Sequence, residues 1–247
     1  MTGFTVKLAD VPVRIDAIHP QTEQFLRDYR CEEAPAFSLE MRQEDLDAER
    51  VISAESRERD GLPPLEVSDR YLETLAIYRK LAERMVEENV LLFHGSVVAV
   101  DGEGYLFAAR SGTGKSTHAA LWRQAFGDRA VMVNDDKPLL RVTENGVLAY
   151  GTPWDGKHHL SENRCVPLKG LCILERAEQN RIAPISANEA FPDLYMQCYR
   201  PQEPERMMKV LDLLEQLSRK TRLYRLGCNM EPEAAIVSYN GMQEEEV

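Results

Sequence analysis

The chain has 247 residues and a mass of 28.1 kDa, a length that fits one large domain or two small ones. Apolar residues make up 43% of it and charged residues 29%, which excludes a fibrous or wholly disordered chain. The net charge of −11 argues against nucleic-acid and anionic-membrane partners, because both attract a surplus of positive charge.

The segments of the first third are predicted to form a small α/β extension. Alternation of apolar and polar residues is typical of strands, and three- to four-residue spacing of apolar residues is typical of helices. On these patterns we expect strands over residues 4–8 and 36–42 and a short helix over residues 22–30.

A charged stretch at residues 44–64 follows and ends in a Gly-Leu-Pro-Pro run at 61–64. Glycine and proline in succession indicate a turn or a loop. The sequence therefore predicts a boundary or a long loop here. We expect an N-terminal extension over residues 1–66 and a nucleotide-binding core over residues 67–247.

The core is predicted to open with a helix that Ser68 caps. Apolar residues recur along it at helical spacing from Tyr71 to Met85. Such a stripe must be buried against something, so we expect this helix to pack on the core rather than to act as a linker.

Strands and helices mix in the remainder of the chain, and turn residues at 102–104 and 144–146 indicate two hairpins. This mixture predicts an α/β fold with α+β character, in which helices pack on a mixed sheet. The predicted strands are residues 96–101, 104–109, 130–134, 138–143, 147–151, 166–176 and 221–227, and the predicted helices are residues 117–126, 186–199, 204–220 and 231–242.

The chain shows no obvious targeting or redox signature. No apolar run approaches the ~20 residues that cross a bilayer. The N-terminus has no basic segment followed by an apolar one, so we expect no secretory signal. The five cysteines include no CxxC pair, which argues against a disulfide framework and favours a cytoplasmic protein.

The stretch that carries chemistry is ARSGTGKS at residues 109–116. It fits the phosphate-loop pattern with Ala109 in place of the first glycine, and it lies between an apolar strand and a helix pattern. Gly112 and Gly114 lack a Cβ, so the backbone can curl closely around phosphate oxygens and point its N–H groups at them. The residues predicted to bind the nucleotide are Ser111, Gly112, Thr113, Gly114, Lys115, Ser116 and Thr117.

Two side chains of this loop have specific predicted roles. Lys115 is expected to reach the β- and γ-phosphates, and the Ser116 hydroxyl is expected to bind Mg²⁺. The start of the following helix adds partial positive charge, which favours an anion. An ordinary glycine-rich turn with a solvated lysine is the alternative.

A pair of carboxylates ends the next predicted strand, where a metal-holding Asp is expected after a phosphate loop. One carboxylate can stay ionised on Mg²⁺ while the other accepts a proton from a substrate hydroxyl. We place Asp135 with Ser116 at the metal and count both Asp135 and Asp136 as catalytic, because the pattern leaves open which takes which role. A hairpin turn rich in Asp and Asn is the alternative.

His94 lies fifteen residues before Ala109, at the start of the segment HGSVVAV. A histidine beside a strand can be merely structural. Together with the loop and the acid pair, His94 is predicted to have a catalytic or substrate-orienting role.

A polar loop at residues 151–159 is predicted either to close on a substrate or to be a solvated connection. The pair His158-His159 within it lacks companions at metal-ligand spacing. Arg164 and Arg200 could each stabilise phosphate charge, although arginines at a surface commonly do not.

The segment HGSVVAVDGEGYLFAARSGTGKST followed by VNDD resembles the catalytic domain of HPr kinase/phosphorylase. The loop and double Asp are also similar to those of phosphoenolpyruvate carboxykinase, whose core that family shares. The resemblance spans about residues 92–175. It implies that His94, Lys115, Ser116, Asp135 and Asp136 are active-site residues, with one Asp as general base and the His assisting. Where the kinase family has a Glu-x-Arg-Gly segment, this chain has VPLKG at 166–170.

The predicted function is that of an ATP-dependent, magnesium-dependent kinase. It would transfer the γ-phosphoryl group to a hydroxyl of a peptide or protein Ser or of a small molecule. The missing Glu favours an alternative, a non-catalytic ATP-binding module whose acidic first ninety residues face a partner. A hydrolase that works without an acceptor is a further alternative. The acceptor, a phosphorylase activity and the oligomeric state are left open.

Overall fold

The computed structural model describes residues 2–59, 61, 63, 66–156 and 159–243. The chain forms two compact units, Met1–Arg84 and Met85–Val247. Among the described residues, none of the helices combines the length and the apolar composition that crossing a bilayer requires.

The first unit contains a three-stranded sheet, three α-helices and a short 3-10 helix at Arg27–Tyr29 among its described residues. β1 and β2 form an antiparallel hairpin, and β3 adds to β2 in parallel. The alternating side chains of the hairpin are buried on one face, which is the pattern of a half-buried sheet. The elements are β1 (Thr2–Leu8), β2 (Val11–Ala17), α1 (Pro20–Phe25), β3 (Phe37–Glu40), α2 (Gln43–Arg59) and α3 (Asp69–Met85).

The prediction of a boundary or a long loop over residues 44–64 is wrong for most of that stretch, because helix α2 spans Gln43–Arg59. Its surface is highly charged, and Leu46 is a buried apolar anchor. Glu49 is also buried and pairs with Arg79 of α3. Helix α2 is therefore held in place in part by a residue that lies far from it in the sequence. Part of the predicted turn at 61–64 lies outside the described residues.

Helix α3 forms where the sequence predicts a helix, and the C-terminal part of the predicted stripe, Ala82 and Met85, is buried. Tyr71 is 54% exposed, whereas Leu72 and Ile77 are fully buried. Glu73 accepts hydrogen bonds from the backbone N–H of Ile18 (2.5 Å) and of His19 (3.1 Å). The helix thus packs within the first compact unit, and the domain division at 66/67 stays a prediction.

The second unit is built on one mixed sheet, which in its described part has nine strands. The strand order is β4-β8-β9-β10-β6-β5-β7, with β12 joined to β10 and β11 to β12. The elements are β4 (Val90–Leu92), β5 (Ser96–Val100), β6 (Glu103–Ala108), α4 (Lys115–Phe126), β7 (Ala130–Asn134), β8 (Leu139–Thr143), β9 (Gly146–Tyr150), β10 (Cys165–Arg176), β11 (Arg181–Pro184), α5 (Ala187–Gln197), α6 (Pro204–Lys220), β12 (Arg222–Cys228) and α7 (Glu233–Gln243).

The directions of the central strands decide where the loops meet. β6 runs parallel to β10, and β10 runs parallel to β12. β5 runs antiparallel to both β6 and β7. The carboxyl ends of β6 and β7 and the start of β5 therefore lie at one edge of the sheet.

Helices cover both faces of this sheet. One apolar core contains residues of α5 and α6, and the other contains residues of α4 and α7. Inside the second core, Trp122 of α4 donates from Nε1 to Ser238 of α7 at 2.8 Å, and His118 Nε2 lies 3.1 Å from the same hydroxyl. A mixed sheet with helices packed on it confirms the predicted α/β fold class.

Candidate functional site

The loop at residues 109–114 connects the end of β6 to the start of α4. Gly112 has φ 76° and Gly114 has φ 127°, a region of backbone space that favours glycine because it has no Cβ. A Cβ on either residue would meet no atom within 4 Å, so the space beside the loop is open. The two glycines are therefore required by the backbone and not by packing.

The first turn of α4 presents backbone donors. Among the described residues, no acceptor takes a hydrogen bond from the N–H groups of Lys115, Ser116 and Thr117. The first turn contains no acidic residue, and its N-cap Gly114 supplies no side-chain cap. Unpaired N–H groups at the positive end of a twelve-residue helix suit an anion such as phosphate.

Lys115 is buried at the base of this loop. Its Nζ donates to the carbonyl oxygen of Ala109 at 2.9 Å, which holds the ammonium inside the loop. Burial lowers the pKa of Lys115, and the negative charge of Asp136 acts in the opposite direction. An anion bound in the loop would give this ammonium a charge partner at close range.

Asn134 fixes the acid pair at the end of β7. Its side-chain oxygen accepts from the backbone N–H of Asp136 (2.9 Å) and of Lys137 (2.6 Å). Its amide nitrogen donates to Thr152, to the carbonyl oxygen at 3.1 Å and to the hydroxyl at 3.0 Å. Asn134 and Thr152 are fully buried, so this network sets the turn that carries the two carboxylates.

Asp135 is almost wholly buried and faces the 151–156 segment. Its Oδ1 accepts from the backbone N–H of Gly156 at 2.5 Å. A Cβ on Gly156 would lie only 2.5 Å from Oδ2 of Asp135, so glycine is required there by close approach. Ser96 adds a hydrogen bond of 3.1 Å to the carbonyl oxygen of Asp135.

Asp136 lies beside His94. The distance between His94 Nε2 and Asp136 Oδ1 is 3.4 Å, and Lys137 Nζ lies 3.4 Å from the other carboxylate oxygen. Burial raises the pKa of Asp136, but His94 and Lys137 together outweigh it and hold the pKa below its usual value. The backbone N–H of His94 donates a hydrogen bond to the backbone carbonyl oxygen of Gln197 at 2.7 Å, which fixes the backbone position of His94.

One cleft contains both Ser116, in the first turn of α4, and Asp135, the first residue of the acid pair. It has a volume of about 600 Å³ and lies between α4 and β7. Its walls include Ser116, Ala120, Arg123, Met132, Asp135 and Leu160. The structure thus brings Ser116 and Asp135, which the sequence predicts as metal ligands, into the same cavity.

The donor set at this end of the cleft fits magnesium. A hydroxyl and a carboxylate are hard oxygen ligands, and Mg²⁺ in nucleotide sites takes one or two protein ligands and completes its shell with phosphate oxygens and water. No group of three or more metal-binding side chains occurs in the part of the chain that the structure describes. Ser116 and Asp135 would therefore hold a magnesium that a nucleotide brings with it.

Sequence reasoning missed Arg176, the last residue of β10. Its guanidinium donates to the carbonyl oxygens of Gly112 (2.5 Å) and Thr113 (3.4 Å), on the flank of the loop. The sequence shows only that Arg176 ends a long predicted strand, which does not indicate a contact with the loop at 109–114. Gly156 and Thr152 were also missed as supports of the acid pair, although both lie in the polar loop that the sequence singles out.

The two arginines named from the sequence have other contacts. Arg164 pairs with Glu162 at 3.0 Å, and Arg200 donates to the carbonyl oxygen of Tyr195 at 3.3 Å. Neither lines the cleft described above. His159 pairs with Asp155 at 2.8 Å, while Lys157 and His158 lie outside the described residues.

Comparison with known proteins gives a family match and a structural likeness. A family model described as SynChlorMet cassette protein ScmC matches residues 66–231. The structure of the HPr(Ser) kinase/phosphatase from Coxiella burnetii is similar over 60% of this chain and 94% of that chain, with 10% identity and a TM-score of 0.35. At that identity and score, the likeness assigns neither a fold nor an activity. No curated protein sequence matches this chain.

Proposed function

This chain belongs to the family of the SynChlorMet cassette protein ScmC, and from that premise we propose that it is an ATP-dependent kinase of the HPr kinase type. It would transfer the γ-phosphoryl group to a hydroxyl of a peptide or protein Ser or of a small molecule. The family description states no reaction, so the support comes from the residues of the site. A cytoplasmic location, where ATP is abundant, is part of the proposal.

The observation that carries the proposal is the convergence of donors and acids at one edge of the sheet. Free N–H groups and the buried Lys115 lie at the start of α4, and Ser116 shares a cleft with Asp135. Phosphoryl transfer needs positive charge around the phosphates and a metal held by oxygen ligands. It also needs a group that positions the acceptor hydroxyl, which the adjacent Asp136 and His94 can supply.

The two carboxylates have different surroundings, which suggests different roles. Asp135 lies in the cleft with Ser116, so we assign it to the metal. Asp136 contacts His94 and Lys137, and its lowered pKa keeps it ionised at neutral pH. We assign Asp136 to the acceptor hydroxyl and His94 to the position of the Asp136 carboxylate.

The reaction then follows from these assignments. Asp136 accepts a hydrogen bond from the acceptor hydroxyl and takes its proton as the hydroxyl oxygen bonds to the γ-phosphorus. The bond from that phosphorus to the β–γ bridging oxygen breaks, and ADP leaves with the electron pair. Lys115 and the N–H groups of α4 stabilise the charge that develops on the phosphate oxygens. Magnesium, when bound, would neutralise charge on the β- and γ-oxygens.

Calorimetry with Mg-ATP tests the nucleotide part of the proposal. Lys115→Met removes the buried ammonium with little change in volume, so we expect its Kd for Mg-ATP to rise at least tenfold. Lys209→Met on α6 is the matched control and should bind like the wild type. Equal Kd values for the wild type and Lys115→Met would contradict the proposed site.

Turnover tests the transfer step. With a panel of hydroxyl acceptors, Asp136→Asn should lower kcat at least a hundredfold and leave the Kd for Mg-ATP within about threefold. Asp128→Asn, on an exposed turn after α4, serves as the control. Full activity of Asp136→Asn would contradict its assignment to the acceptor hydroxyl.

A non-catalytic ATP-binding module is the second candidate. Among the described residues that line the cleft, Asp135 is the one carboxylate beside Ser116, and residues 166–170 supply no acid. Mg-ATP binding without turnover on any acceptor would favour this reading. Phosphate release that needs no acceptor would favour a hydrolase.

A further inference from the structure

The cleft between α4 and β7 extends beyond the metal-binding end, and we propose that its far end binds a carboxylate of the phosphoryl acceptor through Arg123. The inference rests on the proposed kinase function and adds the class of acceptor. That acceptor is an alcohol with an apolar body and a carboxylate at the end opposite to the reacting hydroxyl.

The direction of the cleft is set by helix α4. Ser116, Ala120 and Arg123 follow one another at four- and three-residue spacing, so they share one face of the helix. Seven residues of α-helix separate Ser116 from Arg123 by about 10 Å along the axis. Ser116 and Asp135 would hold the magnesium that accompanies the nucleotide phosphates, so this end of the cleft is the phosphoryl-donating end. An acceptor must approach there and can extend along α4.

The middle of the cleft is apolar. Ala120 of α4, Met132 of β7 and Leu160 line it, and Met132 is 5% exposed. Methylene groups that leave water for such a space bind favourably, because apolar surface is removed from water. A polyhydroxylated acceptor would lose hydrogen bonds to water without replacing them.

Arg123 supplies the charge at the far end. Its side chain is exposed on the wall of the cleft, and no carboxylate of the described residues pairs with it. Arg129, six residues further along the chain, pairs with Asp101 instead. A guanidinium at the end of an apolar cleft matches a carboxylate in a two-hydrogen-bond geometry.

Methyl NMR of the full chain tests this inference directly. The methionine methyl groups are labelled with ¹³C, Mg-AMP-PNP is added, and sodium octanoate is titrated as a carboxylate with an apolar body. We expect the methyl signal of Met132, assigned with Met132→Leu, to shift in a saturable way. The methyl signal of the exposed Met208 on α6 serves as an internal reference and should stay in place.

Charge and side-chain controls complete the experiment. Octanamide, which lacks the charge, should bind at least fivefold more weakly than octanoate. Arg123→Gln should raise the Kd of octanoate at least fivefold, whereas Arg181→Gln, at an exposed position on β11, should leave it unchanged. Equal binding of octanoate and octanamide, or unchanged binding by Arg123→Gln, would overturn the inference.

The remaining outcomes are also distinguishable. A shift of Met132 that AMP-PNP causes and inorganic tripolyphosphate does not would place the nucleoside in the cleft, which overturns the inference. Failure of Mg-AMP-PNP to bind would contradict the proposed kinase function instead. In that case the octanoate titration of the nucleotide-free protein still tests the role of Arg123.

Discussion

Arg176, the last residue of β10, donates from Nη2 to the carbonyl oxygen of Gly112 at 2.5 Å. Gly112 lies in a different part of the chain, on the loop that precedes α4, and a second hydrogen bond from the same guanidinium reaches Thr113. Both hydrogen bonds tie the backbone of this loop to the end of β10. The geometry of the loop at 109–114 therefore depends on a strand end that lies 63 to 64 residues away in sequence.

Arg176→Ala is expected to weaken Mg-ATP binding without unfolding the protein. The residue is exposed, and loss of its hydrogen bonds costs about 1 kcal/mol, which corresponds to a Kd about fivefold higher. Calorimetry measures the effect, and Arg176→Lys should restore part of it because an ammonium can reach one carbonyl. An unchanged Kd in both variants would show that the loop holds its shape alone.

Gly156→Ala is expected to displace the carboxylate that we assign to the metal. The added Cβ would lie 2.5 Å from Oδ2 of Asp135 and 2.9 Å from its Cγ, closer than real contacts allow. Asp135 must then turn away, so the variant should need at least tenfold more Mg²⁺ for half-maximal nucleotide binding. A magnesium titration at fixed ATP measures this, and a wild-type magnesium requirement would argue against metal binding by Asp135.

Asn134→Ala is expected to lower the free energy of unfolding by about 2–4 kcal/mol. The buried amide bonds to the backbone N–H of Asp136 and Lys137 and to Thr152, and its removal leaves those groups without partners. Urea unfolding measures the change. Thr143→Ala, at a partly buried hydroxyl at the end of β8, is the comparison and should cost about 1 kcal/mol or less. An equal decrease in the free energy of unfolding in the two variants would mean that the hydrogen bonds of Asn134 stabilise the fold no more than the single hydrogen bond of Thr143.

His118 gives the stability of the protein a dependence on pH. Burial lowers the pKa of His118 from 6.5 to about 4 in the folded protein. Between these values the unfolded chain binds a proton that the folded protein does not, so stability falls as the pH drops from 6.5 towards 4. At pH 4.5 this loss amounts to about 2–3 kcal/mol relative to pH 7.

Urea unfolding at pH 7 and at pH 4.5 measures that loss. His118→Gln should lack it, so the difference in stability between the wild type and the variant should shrink by that amount at the lower pH. Because the variant also perturbs packing, the titration of the His118 ring by NMR in the wild type is an independent readout. A ring that titrates near pH 6.5 would contradict the prediction.

Local patterns in the sequence predicted most of the second unit. The turn residues at 102–104 and 144–146 placed two hairpins correctly, because a tight turn and its flanking strands are encoded within a dozen residues. The phosphate-loop pattern likewise indicated the positions where glycine is needed, and Gly112 and Gly114 both have positive φ. Features of this kind depend on backbone geometry that neighbouring residues determine.

Features that depend on distant partners could not be predicted. Helix α2 has a weak apolar stripe, and its buried Glu49 is stabilised by Arg79, thirty residues later. Strands β4 and β11 have three and four residues, too few for a pattern to show. At the site, Thr152 and Gly156 come from one loop and Arg176 from the end of β10, and nothing in the local sequence identifies the groups that they support.

Strand β10 has a consequence for how the protein could be divided. Its first residues, 165–167, pair antiparallel with β9, and the stretch after its irregularity at 168–170 pairs in parallel with β6 and β12. Strand β10 thus joins the β8–β9 hairpin on one side of the sheet to β6, which precedes the loop at 109–114, on the other. A fragment that stops before residue 165 would leave β6 with an open, apolar flank. Expression of a self-standing piece that contains the loop at 109–114 would therefore require the chain to continue through β12.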